Sequence, residues 1–184
     1  DYEHCFSTVV KASTVRLVLT IACAKKWFLS SIDVCQAYLQ AELDENIYMM
    51  VPPGMQDRDK EGRALVCKLN RSLYGLKQAG REWNKLLVDW LTKWGLVQSS
   101  VDVCLFTYNA LGQSLWLLVY VDDLIIASSS TSLRERFVKE LGGRFPIEDK
   151  GDLRWILGVA VDYDREKSEL ILSQQLYSSK LVKR

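Results

Sequence analysis

Between Gln78 and Trp94 the apolar positions Trp83, Leu86, Leu87, Trp90, Leu91 and Trp94 recur at three- and four-residue intervals, and Gly95 follows them directly. That period predicts an amphipathic helix with a natural terminator. Ser13–Trp27 is apolar around most of its circumference and opens on a serine, the pattern of a mostly buried helix. Between and beyond these lie runs with strand character. LSSID leads to Asp33, NIYMMV stops at Pro52 and Pro53, and ALVCKL follows the charged loop QDRDKEGR, Gln56–Arg63. VCLFTY, the turn NALGQ and LWLLVYV predict a hairpin; LIIAS then predicts a second, tighter hairpin with VDD at its tip. Ser132 with Glu135 fits a capping box for a helix running through Leu141. WILGVAVDY and ELILS, joined by DREKS, are two further strands, and a helix begins at about Gln174. Antiparallel hairpins with separate helices predict an α+β fold, an antiparallel sheet with helices packed on one face.

Composition narrows this picture. At 184 residues, 48% of them hydrophobic, the chain is long enough to bury a core as a single domain. It opens at Asp1 rather than Met and ends on KLVKR, so it reads as a piece of a longer polypeptide. No apolar run reaches the roughly 18 residues of a membrane span, and the run ending at Val121 stops at an Asp pair. No signal-peptide pattern opens the chain. The five cysteines are scattered and never in CxxC spacing, which argues for free thiols rather than a disulfide framework or a zinc site. His4 is the only histidine, so catalysis built on a His-activated nucleophile has almost no material. A net charge of +1 does not by itself announce a nucleic-acid partner; the basic residues would have to be gathered on one surface.

Three stretches carry candidate chemistry. In LWLLVYVDDLIIAS, Leu115–Ser128, eleven of fourteen residues are apolar or aromatic, yet Asp122 and Asp123 sit side by side in the middle. Two readings stand: a hairpin tip exposed to water, or a divalent-metal site whose charge offsets desolvation and mutual repulsion. Asp33 ends another strand-like stretch, either as a cap to a short helical turn or as a second source of carboxylate. Two strand ends delivering carboxylates is what two-metal phosphoryl transfer requires. The third stretch, Cys67–Lys85, sets Lys68, Arg71, Lys77, Arg81 and Lys85 against the single Glu82, with Gly75 among them. It is a solvated basic helix face or a platform for a phosphorylated ligand.

Taken together and in order, IDVCQAYLQAELDENIYM (Ile32–Met49), SLYGLKQAGREW (Ser72–Trp83), YVDD (Tyr120–Asp123) and KGDLRWILG (Lys150–Gly158) resemble the reverse transcriptase domain of copia-type retrotransposon polyproteins. The resemblance covers practically the whole chain. It implies a single domain over residues 1–184, a reverse-transcriptase-like right-hand fold that is chiefly palm with the fingers largely truncated. On it, about 150–184 would form the palm end, with the primer-grip hairpin and the start of a thumb connection. It also implies an RNA-directed DNA polymerase, with Asp33, Asp122 and Asp123 catalytic. Two Mg2+ ions, with Mn2+ as a substitute, would be held by Asp33, Asp122, Asp123 and the Val34 carbonyl. Successive strand residues face opposite ways, so Asp122 and Asp123 should not be equivalent ligands, with Asp33 and Asp122 the main pair. The nucleoside triphosphate would meet Tyr38, Tyr74, Gly75 and Lys77, and the template and primer Arg81, Tyr120, Leu157 and Gly158. Lys150 falls where such polymerases place a basic residue near the leaving pyrophosphate.

The implied partners are an RNA or DNA template with its primer, dNTPs, and the RNase H, integrase and protease parts of the same polyprotein, with no membrane. The implied location is intracellular, in cytoplasmic virus-like particles with a nuclear stage. Gly80 stands where the family usually has Pro and Lys150 where it has Leu, and the opening differs at His4, Cys5 and Thr8. The family's upstream fingers segment, with its triphosphate-binding Lys and Arg, normally precedes the point where this chain begins. That keeps a second reading open, a relic that retains the palm and binds nucleic acid without polymerising. A nucleotidyl cyclase shares palm-type chemistry but leaves SLYGLKQAGREW unexplained, and the chain has no GGDEF-like turn.

Overall fold

The computed structural model describes residues 9–182, so His4, Cys5 and most of the opening run lie outside the described residues. The chain divides into two compact units, one built from residues 36–88 and the other from residues 9–35 and 89–182. The second holds a six-stranded sheet, ordered β4-β5-β6-β7-β1-β8, and a three-stranded sheet, β11-β10-β9. Its strands are β1 (Phe28–Val34), β4 (Val97–Gln98), β5 (Leu105–Ala110), β6 (Gln113–Tyr120), β7 (Asp123–Ser128), β8 (Ile147–Asp152), β9 (Trp155–Ile156), β10 (Val159–Asp164) and β11 (Glu169–Ser173). Every pairing among them is antiparallel. The first unit holds α2 (Ala37–Gln40) and the two-stranded ladder of β2 (Glu42–Met50) and β3 (Val66–Arg71). Helix α3 (Ala79–Trp94) starts in one unit and ends in the other.

Leu117, Leu118 and Val119 are buried in succession on β6, as are Leu124 to Ala127 on β7. Unbroken burial means that both faces of the sheet are covered. On one face Leu29, Leu118, Ile125 and Ala127 join Val15, Val18, Leu19 and Ala22 of α1 (Ala12–Ala24) in a single cluster that includes Ile156 and Val161 of the second sheet. On the other, Arg134 of α4 (Thr131–Gly142) reaches Ser30, the neighbour of Leu29 on β1. The α+β class holds, but helices on one face only is corrected: strands this apolar on both sides need cover on both. Beyond the sheet, Phe137 packs edge-on against Trp90 and Trp94 at 5.9 and 5.1 Å between centroids.

Two helix ends also differ from expectation. Helix α1 stops at Ala24 rather than running to Trp27, because Lys26 adopts a left-handed φ of 53°. The Trp27 and Lys26 N–H groups then fold back onto the Ala22 and Cys23 carbonyls at 2.8 and 3.1 Å, a Schellman motif built without glycine. Helix α4 is capped by Ser130, which accepts the Leu133 N–H at 3.2 Å, and not by Ser132. The tract SSSTS offers several hydroxyls, and Ser130, directly before the first helical residue, has the extended backbone of a cap (φ −144°, ψ 149°). Strand β8 was invisible to pattern, since IEDKGD has no apolar alternation; it forms by pairing with β1. The final helix, α5 (Gln175–Val182), buries none of its residues. Cys23, Cys35, Cys67 and Cys104 form no disulfide.

The start of α1 takes its cap from a distant residue. Asp102 is 4% exposed and accepts the Lys11 N–H and the Cys104 N–H, each at 3.0 Å. Burial pushes its carboxyl up, but the hydrogen bonds from Thr14, Lys11 and Cys104 outweigh this and hold it below the ordinary value. A carboxyl lowered by folding stabilises at pH above its unfolded pKa, and that contribution disappears as pH falls through the folded value. Asp102→Ala, which strands these donors, should cost about 2–3 kcal/mol. Thermal unfolding should show Tm lowered at neutral pH, with the gap to wild type closing below about pH 4.

Candidate active site

The two carboxylate-bearing elements are sewn together by their backbones. The Val34 N–H donates to the Asp122 carbonyl at 2.9 Å, and Asp33 stands directly opposite Asp123 in the β1/β7 ladder. Because Val34 and Asp122 occupy the hydrogen-bonded position, alternation makes Asp33 and Asp123 a narrow pair, whose side chains share one face and come closest. Asp122 lies outside both strands, in the two-residue turn that joins Tyr120 to Asp123. The pleat therefore does not separate Asp122 from Asp123 as it would within a continuous strand, because alternation is undefined in a turn.

That turn is unusual in its residues. The other two-residue hairpin turns, Leu111–Gly112 and Leu157–Gly158, put both residues at positive φ and end on glycine, the I′ pattern. In Val121–Asp122 only the first residue is positive, at φ 58°, and that residue is β-branched. The pattern is that of a II′ turn, where glycine is the residue free of steric cost at the first position. The hairpin tip thus keeps a strained valine, and the residue after it is a carboxylate.

The electrostatics follow from the geometry. Asp123 reaches the surface, yet partial loss of water pushes its carboxyl up, and the charges of Asp122 and Asp33 push it further. Lys150 is the cation that pulls it back. The Lys150 ammonium pairs with Glu148 at 2.5 Å; that hydrogen bond first, and the nearby Asp33 and Cys35 further, hold the amine above its ordinary value. Among the described residues, no three His, Cys, Asp or Glu side chains are gathered closely enough to ligate one ion. The chemistry of the set nonetheless suits a hard divalent cation: all its donors are oxygens, and its excess negative charge is recorded in Asp123.

A cleft of about 700 Å³ opens beside these carboxylates, lined by Tyr120, Asp123, Lys150, Arg154, Leu157 and Gly158. It brings together five residues singled out in distant parts of the sequence: Tyr120, Asp123, Lys150, Leu157 and Gly158. Arg154 and the half-exposed Trp155 also line it and were missed: in KGDLRWILG Trp155 reads only as the first residue of a strand, and nothing marks Arg154. In the other unit, the Tyr38 and Tyr74 rings meet at 4.9 Å, tilted by 57°, and Gly75 follows at φ 97°. Arg81 is held by Glu82 at 2.7 Å and Asp44 at 3.3 Å, so its charge is already matched. Lys77 is exposed.

The family model for reverse transcriptase (RNA-dependent DNA polymerase) matches residues 1–184. The chain belongs to the reverse transcriptase family. It is 37% identical over 184 residues to the Retrovirus-related Pol polyprotein from transposon RE1 of Arabidopsis thaliana, covering all of this chain and 12% of that protein. It is 33% identical over 185 residues to the corresponding polyprotein from transposon TNT 1-94 of Nicotiana tabacum, covering 14% of it. Similarity extends to the Putative transposon Ty5-1 protein of Saccharomyces cerevisiae, at 31% over 150 residues, 81% of this chain and 47% of that one. This reverse transcriptase chain thus spans about an eighth of the length of its plant relatives. Among the described residues no helix is long and apolar enough to cross a membrane.

Strain at Val121 is open to measurement. Val121→Gly should raise stability by about 1 kcal/mol, because relief of a left-handed β-branched residue exceeds the added freedom of the unfolded chain. Thermal unfolding by circular dichroism should show Tm higher by a few degrees. A fall of the same size would mean that the valine side chain contributes more than its backbone costs.

Proposed function

We propose that the chain is an RNA-directed DNA polymerase domain, with residues 9–35 and 89–182 as the palm and residues 36–88 as partial fingers. The observation that carries this reading is the facing pair Asp33 and Asp123, with Asp122 in the adjoining turn, at the edge of a cleft. Asp33, Asp122, Asp123 and the Val34 carbonyl would hold two divalent ions, Mg2+ or Mn2+. Bound there, the ions would supply the positive charge that phosphoryl transfer needs. The primer 3′-hydroxyl attacks the α-phosphate of a deoxynucleoside triphosphate, one phosphodiester bond forms, and pyrophosphate leaves.

The chain's own groups divide the remaining work. Tyr38 lies under the sugar and rejects a ribose 2′-hydroxyl; Tyr74 and Gly75 lie against the nucleotide, with Lys77 on its phosphates. Arg81 contacts the template or primer only on release from Glu82 and Asp44, so its assignment rests on the resemblance. Tyr120, Leu157 and Gly158 hold the primer end, supported by their place in the cleft beside Asp123. Lys150 meets the leaving pyrophosphate, supported by its coupling to both Asp33 and Asp123. The rest of the polyprotein, with RNase H, integrase and protease parts, completes replication inside the cell.

Primer extension on an RNA template with Mg2+ tests this, with the chain alone and with flanking polyprotein sequence attached. Asp122→Asn should reduce nucleotide addition by at least about a hundredfold, since the lost charge is one that would hold the divalent ions against the reacting phosphate. Synthesis undiminished in the Asn variant would overturn the assignment. Template binding with no synthesis in either form would favour the relic.

A further inference from the structure

Strand β8 pairs with β1 in a broken register: Ser31 faces Gly151 and Ile32 faces Asp149, so Lys150 between them has no partner. Lys150 is the extra residue of a β-bulge, a device that frees one side chain from the alternating pleat and re-aims it. Here the freed side chain is the one that lines the cleft and neighbours the carboxylates. Apolar packing does not hold this bulge, because β8 is an edge strand and none of its residues is buried.

What holds it is polar. Gly151 takes φ 70°, and its N–H donates to Asp149 Oδ1 at 3.0 Å, closing the bulge over Lys150. The same carboxylate oxygen accepts a hydrogen bond from Arg134 of α4. Arg134 Nε meanwhile donates to Ser30 Oγ on β1 at 3.1 Å, and Ser30 is 4% exposed. One guanidinium thus binds both strands beside the bulge. Its side chain is only 18% exposed, so removing its fork would leave a carboxylate and a buried hydroxyl without their charge-assisted partner. Glu148, opposite Asp33, tethers the Lys150 ammonium from the other side.

We propose that Arg134 is a positioning residue for nucleotide addition: by tying Ser30 to Asp149 across the β1/β8 bulge, it holds Lys150 toward the leaving pyrophosphate. This rests on the polymerase reading and on the role assigned to Lys150 above. Arg134 itself touches no substrate.

Nucleotide-addition kinetics of the polymerising form, chain or extended polyprotein, would compare Arg134→Gln, Lys150→Ala and the double variant, alongside amide exchange at Gly151. Each single change should lower kcat about tenfold with the same kcat-against-KM split, and the double variant should lose no more than Lys150→Ala alone, as coupled residues do. In Arg134→Gln the Gly151 amide should exchange at least tenfold faster, a readout independent of activity. Losses that multiply, undiminished kcat in Arg134→Gln, or unchanged Gly151 exchange would each overturn the positioning role. A wild type no faster than Asp122→Asn would instead strike the polymerase reading. If Arg134→Gln does not fold, Asp149→Asn keeps an acceptor for Gly151 and loses the charge that Arg134 grips, and it is read by the same criteria.

Discussion

The constraint around which the larger unit is organised is repulsion: Asp33 and Asp123 face each other across a ladder, and Asp122 adjoins them. Like charges directly opposite on a sheet destabilise it. At an effective dielectric near 20, two like charges a few ångströms apart repel by roughly a few kcal/mol. The elements that carry them are accordingly the most deeply anchored in the unit. Strands β1, β6 and β7 are central in the six-stranded sheet and buried on both faces, and each fully buried Leu or Ile on them contributes about 1.5–3 kcal/mol. Apolar strands hold the carboxylates together at their ends, and the carboxyl of Asp123 is raised first by partial loss of water and then by the charges of Asp122 and Asp33.

Backbone strain points to the same place. At its other two-residue hairpin turns, Leu111–Gly112 and Leu157–Gly158, the chain ends on glycine. At Val121–Asp122 it places a valine at positive φ and a carboxylate after it. Proteins that break a local rule at one turn while keeping it at its siblings do so where something other than folding is being served. Charge crowding and turn strain are independent observations, and they meet at Val121–Asp123, opposite Asp33.

Much of this was legible in the pattern of the chain. The three-and-four spacing of Trp83 to Trp94 made α3 readable, and the apolar runs around the Asp pair made the hairpin readable, because burial alone imposes both patterns. What escaped depends on interactions that leave no periodic trace. The end of α1 turns on one lysine adopting a glycine-like φ, and the cap of α4 on which of several serines directly precedes the first helical residue. The roles within the Asp pair were argued from strand alternation, but the hairpin needs two residues to turn and takes Asp122 as one of them. The cleft walls were half legible: Tyr120 and Leu157–Gly158 stood out, whereas Arg154 and Trp155 became visible only when β9 folded beside β7.

Strand β8 shows why polar sequence can be structural and functional at once. An edge strand exposes unpaired backbone groups, and charged side chains with a bulge discourage another chain from adding to it. IEDKGD supplies both, and for that purpose any charges would serve. The particular arrangement is more constrained. Asp149 faces the helix that offers Arg134, Glu148 faces Asp33, and the unpaired position falls to Lys150, the cation coupled to the carboxylates. Edge protection explains the polarity of β8 but not which charge stands at the bulge; the role proposed for Lys150 would.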